Sequence, residues 1–179
     1  MFSVHHLGIH VRDLERMIEF YRNAFGFCQV GDTFHLKDSP ETDTVIDTPG
    51  ADVRGALLKA GNTYMELFQF IAPAPVSSDP RRPYDRGYTH FCVDTDDIDT
   101  AMPGLKAAGM DFKGRAPVDC GMVKTLYGWD PEGNIIEIQQ TASTAGTALA
   151  NLDSEAGAES AHSAAVDTQQ LGSDIPGLL

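Results

Sequence analysis

Basic residues are scarce in this chain. It carries 13 Lys and Arg against 26 Asp and Glu, a net charge of −13 over 179 residues. A nucleic-acid backbone or an anionic membrane is held by clustered Lys and Arg, so neither is the expected partner. Cysteine is sparse as well. Cys28, Cys92 and Cys120 form no CxxC pair and no even framework, which favours a reducing compartment. No window is apolar enough to span a bilayer. The opening Met1-Phe2-Ser3-Val4-His5-His6 has no basic stretch and no apolar run behind it, so no secretory signal is expected and the cytoplasm is the expected location. From residue 141 to 179 Lys and Arg are absent, and Ala, Ser, Thr and Gly dominate around Asp153, Glu155, Glu159, Asp167 and Asp174. This reads as an acidic low-complexity tail, flexible or loosely docked. If it docks on the body or a second subunit, Leu149, Leu152, Val166, Leu171 and Ile175 would do the packing.

What remains, residues 1–140, is long enough for one domain with a real core. It contains a repeat. Val4-His5-His6-Leu7-Gly8-Ile9-His10-Val11 near the start resembles Thr89-His90-Phe91-Cys92-Val93-Asp94 in the second half. With His6 set on His90, Ile9 falls on Val93, Asp13 on Asp97, Leu14 on Ile98 and Ala24 on Ala108. Each half closes on a strand with one carboxylate among apolar neighbours, Tyr64-Met65-Glu66-Leu67-Phe68 and Ile135-Ile136-Glu137-Ile138.

The element order is strand, helix, strands, twice over. Leu7, Ile9 and Val11 alternate with His6, Gly8 and His10, which predicts a strand with one buried face. Asp13 caps a helix carried by Leu14, Met17, Ile18, Tyr21, Ala24 and Phe25 and ended by Gly26. Residues 27–34 read as a strand and 35–50, with Pro40, Pro49 and Gly50, as a long loop. Residues 54–60 and 63–70 make a hairpin around Gly61-Asn62. Residues 71–87, with Pro73, Pro75, Pro80 and Pro83, join the halves. The second half predicts a strand over 88–95, a helix over 97–108 that Pro103-Gly104 should kink or shorten, strands near Lys113 and Val123, a turn at Asp130-Pro131-Glu132-Gly133-Asn134, and a last strand over 135–140. The fold class is α+β: paired βαβββ modules, about 3–70 and 88–140, forming a curved mixed sheet with helices outside and a concave face inside.

Strand parity places chemistry on that inner face. His6, Glu66, His90 and Glu137 are each out of phase with their apolar neighbours. An unpaired carboxylate there is costly, and a cation would relieve the cost. The repeat predicts that the four side chains meet around one divalent ion: nickel, cobalt, manganese, zinc or iron. His10 shares the His6 face near the strand end, where substrate contact and a plain rim role are both open. Cys92 shares the His90 face, and a small buried strand residue is the simpler reading of it. His5 should face the helices or the surface. Tyr64, Phe68 and Phe70 share the Glu66 face and would make part of the wall apolar. Arg81, Arg82 and Arg86 could hold a substrate carboxylate, although a solvated loop accounts for them as well.

At these residues the chain resembles the vicinal oxygen chelate superfamily. The resemblance covers about residues 3–140 and rests on His6-Leu7-Gly8-Ile9, Asp13-Leu14, Phe20-Tyr21, Gly26-Phe27, Met65-Glu66-Leu67-Phe68, His90-Phe91-Cys92-Val93 and Asp130-Pro131-Glu132-Gly133-Asn134 with Ile136-Glu137-Ile138. It implies metal ligands on the first and last strand of each module, here His6, Glu66, His90 and Glu137. Two His and two Glu are similar to bacterial-type lactoylglutathione lyases and to epimerases. The chain departs from methylmalonyl-type epimerases, which tend to carry His-Pro-Lys where it has Trp129-Asp130-Pro131. The glutathione-holding residues of the lyases find no match.

The expected activity is that of a metal-dependent lyase or isomerase taking a proton alpha to the carbonyl of a small molecule. Glu137 would be the base, with Glu66 as its partner. Tyr64, Phe68, Cys92 and His10 would contact substrate, and a homodimer is the expected assembly. The alternatives are an iron-dependent ring-cleaving dioxygenase using His6, His90 and Glu137, and a protein that sequesters a small molecule without turnover.

Overall fold

The computed structural model describes residues 3–75 and 82–151. The chain divides into two compact units, residues 1–140 and 141–179. The first unit is built as β1 (His6–His10), α1 (Leu14–Phe25), β2 (Cys28–Lys37), α2 (Pro40–Val45), β3 (Asp52–Ala60) and β4 (Thr63–Ala72), then β5 (His90–Asp94), α3 (Ile98–Ala107), β6 (Val118–Asp119), β7 (Val123–Trp129) and β8 (Ile135–Thr141). The expected modules are present. Each makes its own four-stranded mixed sheet, in the orders β1-β4-β3-β2 and β5-β8-β7-β6. The expected curved sheet is therefore made in two pieces, because among the described residues no backbone ladder joins one module to the other.

Helix α1 follows its sequence signals. The Asp13 carboxylate accepts from Arg16 N–H at 3.0 Å, and Gly26 closes the helix at φ 69°, a left-handed turn that glycine adopts without strain. Its buried stripe is Leu14, Met17, Phe20 and Tyr21. These join Leu58, Met65 and Leu67 of the first sheet, Ile98 and Met102 of α3, and Ile136 and Ile138 of the second sheet in one apolar core. Fully burying such a side chain is worth about 1.5–3 kcal/mol. The helices thus mark the shared inside of the unit, and the other face of each sheet is the more open one.

A turn of module 2 fastens α1 to its neighbour. The Glu132 carboxylate accepts the N–H groups of Arg12 (2.6 Å) and Asp13 (2.9 Å), just before the helix begins. The negative charge suits the positive end of the helix dipole. Beside it Asp130, only 4% exposed, accepts from the Tyr21 hydroxyl, from Glu132 and Asn134 N–H, and from the Asn134 amide. Burial, then the Asp130 charge, raises Tyr21 well above the usual phenol range, so it stays a donor.

Four local expectations are corrected. The strand ending at Phe34 runs on to Lys37, pairing with β3 through His35, Leu36 and Lys37 after an irregularity between Val30 and Phe34. The loop over 35–50 contains α2, capped by Ser39 and begun by Pro40, while the Asp43 carboxylate accepts from Gly50 and Ala51 N–H and closes the segment. Helix α3 continues through Pro103 to Ala107 instead of ending at the proline, which stands inside the helix without an N–H to give to the turn before it. Lys113 lies in a turn at φ 52° instead of a strand; its N–H bonds the Asp111 carboxylate, and Asp111 alone bridges to Trp129.

In the second unit Thr141 ends β8, and the described residues 142–151 form turns and the start of a helix. The Asn151 amide donates to Ala145 O at 3.0 Å, and Leu149 is 48% exposed. Leu152, Val166, Leu171, Ile175 and the acidic residues of the tail lie outside the described residues, as do linker residues 76–81, Pro80 and Arg81 among them.

Candidate metal and substrate site

Parallel pairing of the first and last strand of each module creates a His–Glu pair twice. In module 1, β1 runs parallel to β4 with His6 level with Tyr64 and Gly8 level with Glu66. In module 2, β5 runs parallel to β8 with His90 level with Ile135 and Cys92 level with Glu137. Each glutamate is thus diagonal to its histidine on one face, with a small residue directly opposite it. His6 Nε2 lies 3.4 Å from Glu66, and His90 Nε2 lies 3.1 Å from Glu137. Two neighbouring ligands of an ion with bonds of about 2.1 Å stand roughly 3 Å apart, so each pair suits two positions of a divalent cation.

The two pairs do not come together within the chain. Among the described residues no three His, Cys, Asp or Glu side chains are placed to hold one ion. The repeat brings one His and one Glu together within each module, while the helices and the Tyr21–Asp130 contact set how the modules pack.

The pairs differ in their surroundings. The Thr125 hydroxyl lies 2.6 Å from Glu137 Oε1, close enough to donate, and 3.0 Å from Ile138 O. The Tyr127 hydroxyl lies 3.3 Å from His90 Nε2 with its ring 4.6 Å from the imidazole, and the Thr89 hydroxyl lies 3.0 Å from His90 Nδ1. Burial first, then the Glu137 charge, raises Tyr127 above the usual phenol range. In module 1, His5 sits against His6, with Nδ1 atoms 2.9 Å apart, and stacks on Tyr64 at 5.1 Å. His5 is thus exposed as expected but touches the site.

Cys92 is not the small buried residue expected. It is exposed on the His90 face. Packing around its sulfur, then the charges of Glu137 and Asp94, push its thiol up to about 12. His10 lies at the end of β1 with its ring 5.2 Å from Phe70; burial lowers its pKa, opposed by Glu132. Phe68 contacts Phe70 and Phe34 at 6.3 and 6.0 Å, which extends the apolar wall along the first sheet. Gly55 admits this arrangement, since a Cβ there would stand 2.3 Å from the Phe34 ring. Arg82 is paired with Asp85 at 2.9 Å and lies over the Tyr84 ring.

Thr89, Thr125, Tyr127, Phe34 and Gly55 were missed in the sequence. The first three carried a usable signal: Thr89 precedes His90, and Thr125-Leu126-Tyr127-Gly128-Trp129 alternates with Leu126 and Gly128 on the core side. Phe34 carried none, because its place depends on a partner strand.

Paired βαβββ modules with an imidazole and a carboxylate on matching strands define a class of chelating fold. The chain belongs to the Glyoxalase/Bleomycin resistance protein/Dioxygenase superfamily, whose model matches residues 3–138. It is 26% identical over 148 residues to a lactoylglutathione lyase of Schizosaccharomyces pombe, covering 80% of this chain and 49% of that protein. It is 29% identical over 104 residues to the mitochondrial methylmalonyl-CoA epimerase of Homo sapiens, covering 58% of this chain and 52% of that protein. The chain thus spans about half the length of these relatives. Among solved structures, a glyoxalase family protein from Bacillus cereus superposes with a TM-score of 0.71 at 18% identity, covering 80% of this chain and 96% of that one. A fosfomycin resistance protein from Mesorhizobium loti does so with a TM-score of 0.52 at 19% identity, covering 80% and 95%. These two likenesses concern the fold. Among the described residues no helix is long and apolar enough to cross a membrane.

Proposed function

We propose that this chain is a divalent-metal-dependent lyase or isomerase, acting on a small carbonyl compound by moving a proton alpha to the carbonyl, with its site completed between two copies of the chain. The observation that carries it is the repeated His–Glu pair, 3.4 Å apart in one module and 3.1 Å in the other. The lyase and epimerase relatives support the reaction class. Imidazole and carboxylate donors suit nickel, cobalt, manganese, zinc or iron.

A divalent ion so held would polarise a carbonyl oxygen as a Lewis acid. The rest falls to the chain. His6, Glu66, His90 and Glu137 supply the donors. Glu137 takes the alpha proton and returns it, with Glu66 as its partner, and Thr125 holds one Glu137 oxygen so that the other faces His90. Tyr127 and Thr89 fix the His90 ring. Phe34, Phe68 and Phe70 give substrate an apolar wall, and Tyr64, Cys92 and His10 border it.

Two half-sites in one chain support a homodimer in which module 1 of one copy faces module 2 of the other. A two-fold axis would then build two complete sites. The dioxygenase alternative, with His6, His90 and Glu137 as ligands, leaves Glu66 beside His6 without a task. We place the protein in the cytoplasm on its cysteine usage.

The test is metal content of the purified protein, followed by solvent deuterium wash-in over 2-oxo, hemithioacetal and acyl-thioester compounds. One ion per pair of half-sites and exchange at carbon alpha to the carbonyl are expected. Stoichiometric metal in the His6→Ala/His90→Ala double variant would overturn the ligand set. Oxygen uptake with catechols, and no exchange, would favour the dioxygenase. Tight binding of a ligand without turnover would favour sequestration.

A further inference from the structure

Among the described residues five cations are paired with carboxylates: Arg54 with Glu15, Lys37 with Asp52, Lys124 with Asp99, Arg82 with Asp85 and Arg22 with Glu19. Trp129 is different. Lys113 Nζ lies 3.5 Å from its ring centroid and Arg115 Cζ 5.0 Å from it. Neither cation has an ion-pair partner among the described residues.

Both are fixed by the backbone around them. Lys113 is presented by the turn that its own N–H makes to Asp111, at 2.7 Å. Arg115 donates from Nε to Phe112 O (3.2 Å) and from Nη2 to Tyr127 O (2.9 Å), which leaves other guanidinium N–H groups unspent. Holding two like charges over one ring costs energy that an anion would recover.

Trp129 and Lys113 also border a cleft of about 550 Å³ with Arg12, Arg82, Asp130 and Glu132. This falls within the usual size of a small-molecule site, roughly 300–1,000 Å³. Its three carboxylates, Asp111, Asp130 and Glu132, keep their charge but turn oxygens to protein donors. Asp130 accepts from Tyr21, Glu132 and Asn134, Glu132 accepts from Arg12 and Asp13 N–H, and Asp111 accepts from Lys113 N–H. The side-chain charges of Arg12 and Lys113 are not so occupied. None of His6, Glu66, His90 and Glu137 borders the cleft.

We propose that the cleft at Trp129, with Lys113 and Arg12 on its wall, binds a small molecule bearing two or more anionic oxygens, of the diphosphate or dicarboxylate kind. The anion sits against Lys113 at the indole, and charge-assisted hydrogen bonds from Arg12 and Lys113 hold it, with the Arg115 charge close by on the same ring.

The chain provides its own reporter, because Trp129 is its one tryptophan. The full-length protein is titrated with inorganic pyrophosphate, and separately with glutarate, against NaCl at matched ionic strength. A saturable change in Trp129 emission is expected with either probe and not with NaCl. Calorimetry should show affinity for pyrophosphate falling about tenfold or more in Lys113→Gln, and likewise in Arg12→Gln, with metal content unchanged. Competition of pyrophosphate with the carbonyl substrate would identify the site as the seat of the substrate's own anionic tail. Binding without competition would identify a separate ligand. An emission change that NaCl reproduces would overturn the proposal. So would wild-type affinity in both variants, and a lowered Tm with unchanged affinity would reduce the cluster to a structural clamp.

Discussion

The Tyr21 hydroxyl of α1 donates to the Asp130 carboxylate of module 2 across 3.0 Å, and both groups are buried. Through this bond the two modules share one interior. Removing the hydroxyl leaves Asp130 its N–H donors but takes away one partner. Tyr21→Phe should therefore cost about 1–2 kcal/mol, read as a lower urea midpoint at an unchanged slope. Asp130→Ala strips the partners from a buried turn and should cost about 3–5 kcal/mol. Equal midpoints for Tyr21→Phe and the wild type would show that the bond contributes nothing.

A site shared between copies makes a sharp prediction. His6→Ala damages every module 1 half-site, and His90→Ala every module 2 half-site. In a mixed dimer one site receives both lesions and the other receives neither. Unfolding and refolding the two inactive variants together should restore roughly a quarter of wild-type metal content, if dimers form at random. If each chain built its own site, mixing would restore nothing.

Glu137→Gln keeps the shape and one carbonyl oxygen but not the basicity. Metal should stay bound, more weakly, and alpha-deuterium exchange should fall on the order of a hundredfold or more. Glu66→Gln is the matched control. Loss in Glu66→Gln alone would exchange the roles of the two residues. Normal exchange in both variants would exclude carboxylate proton abstraction.

Cys92 gives a pH test. With its thiol pushed up to about 12, it should remain protonated well above neutrality. Alkylation of the metal-free protein at pH about 9 should therefore reach Cys92 at least tenfold more slowly than an ordinary exposed thiol, with the rate rising as pH approaches that value. Glu137 contributes to the shift, so Glu137→Gln should lower the thiol's pKa and speed labelling. Mass spectrometry of the labelled peptides reads both effects. Cys92 labelled as quickly as a free model thiol would contradict the environment described.

Gly55 tests the apolar wall. A Cβ there would meet Phe34 at 2.3 Å and Leu67 O at 2.9 Å, and a backbone oxygen within a sheet cannot step aside. Gly55→Ala should cost about 1–3 kcal/mol and displace Phe34. At Gly8 a Cβ would meet nothing within 4 Å, so Gly8→Ala should leave the unfolding midpoint nearly unchanged. The reverse order of midpoints would refute this account of the wall.

Much of the architecture was legible from local rules. The period of two put His6 and Gly8 on the exposed side of β1, and Leu7, Ile9 and Val11 on the more buried one. Asp13 and Gly26 bounded α1 because caps act within one turn. What went unread was non-local. His6 and Glu66 are 60 residues apart and His90 and Glu137 only 47, and β2 with α2 fills much of the difference. Strand β2 is exposed up to Phe34 and alternates in burial only over Phe34 to Lys37, a run too short to stand out beside the Pro- and Gly-bearing segment that follows.

The sequence by itself determined which residues make each His–Glu pair. Side-chain direction along a strand is fixed by chain geometry, and the repeat sets which strands carry the donors. Tertiary structure alone decided that the halves stay apart in one chain and that Thr125 and Tyr127 attend only the second pair. It also placed Lys113 and Arg115 over Trp129. Those outcomes depend on how two preformed sheets dock through α1, Tyr21 and Asp130, and on the path of one turn between strands. Docking is settled by shape and buried hydrogen bonds between distant residues, which no periodicity in the chain encodes.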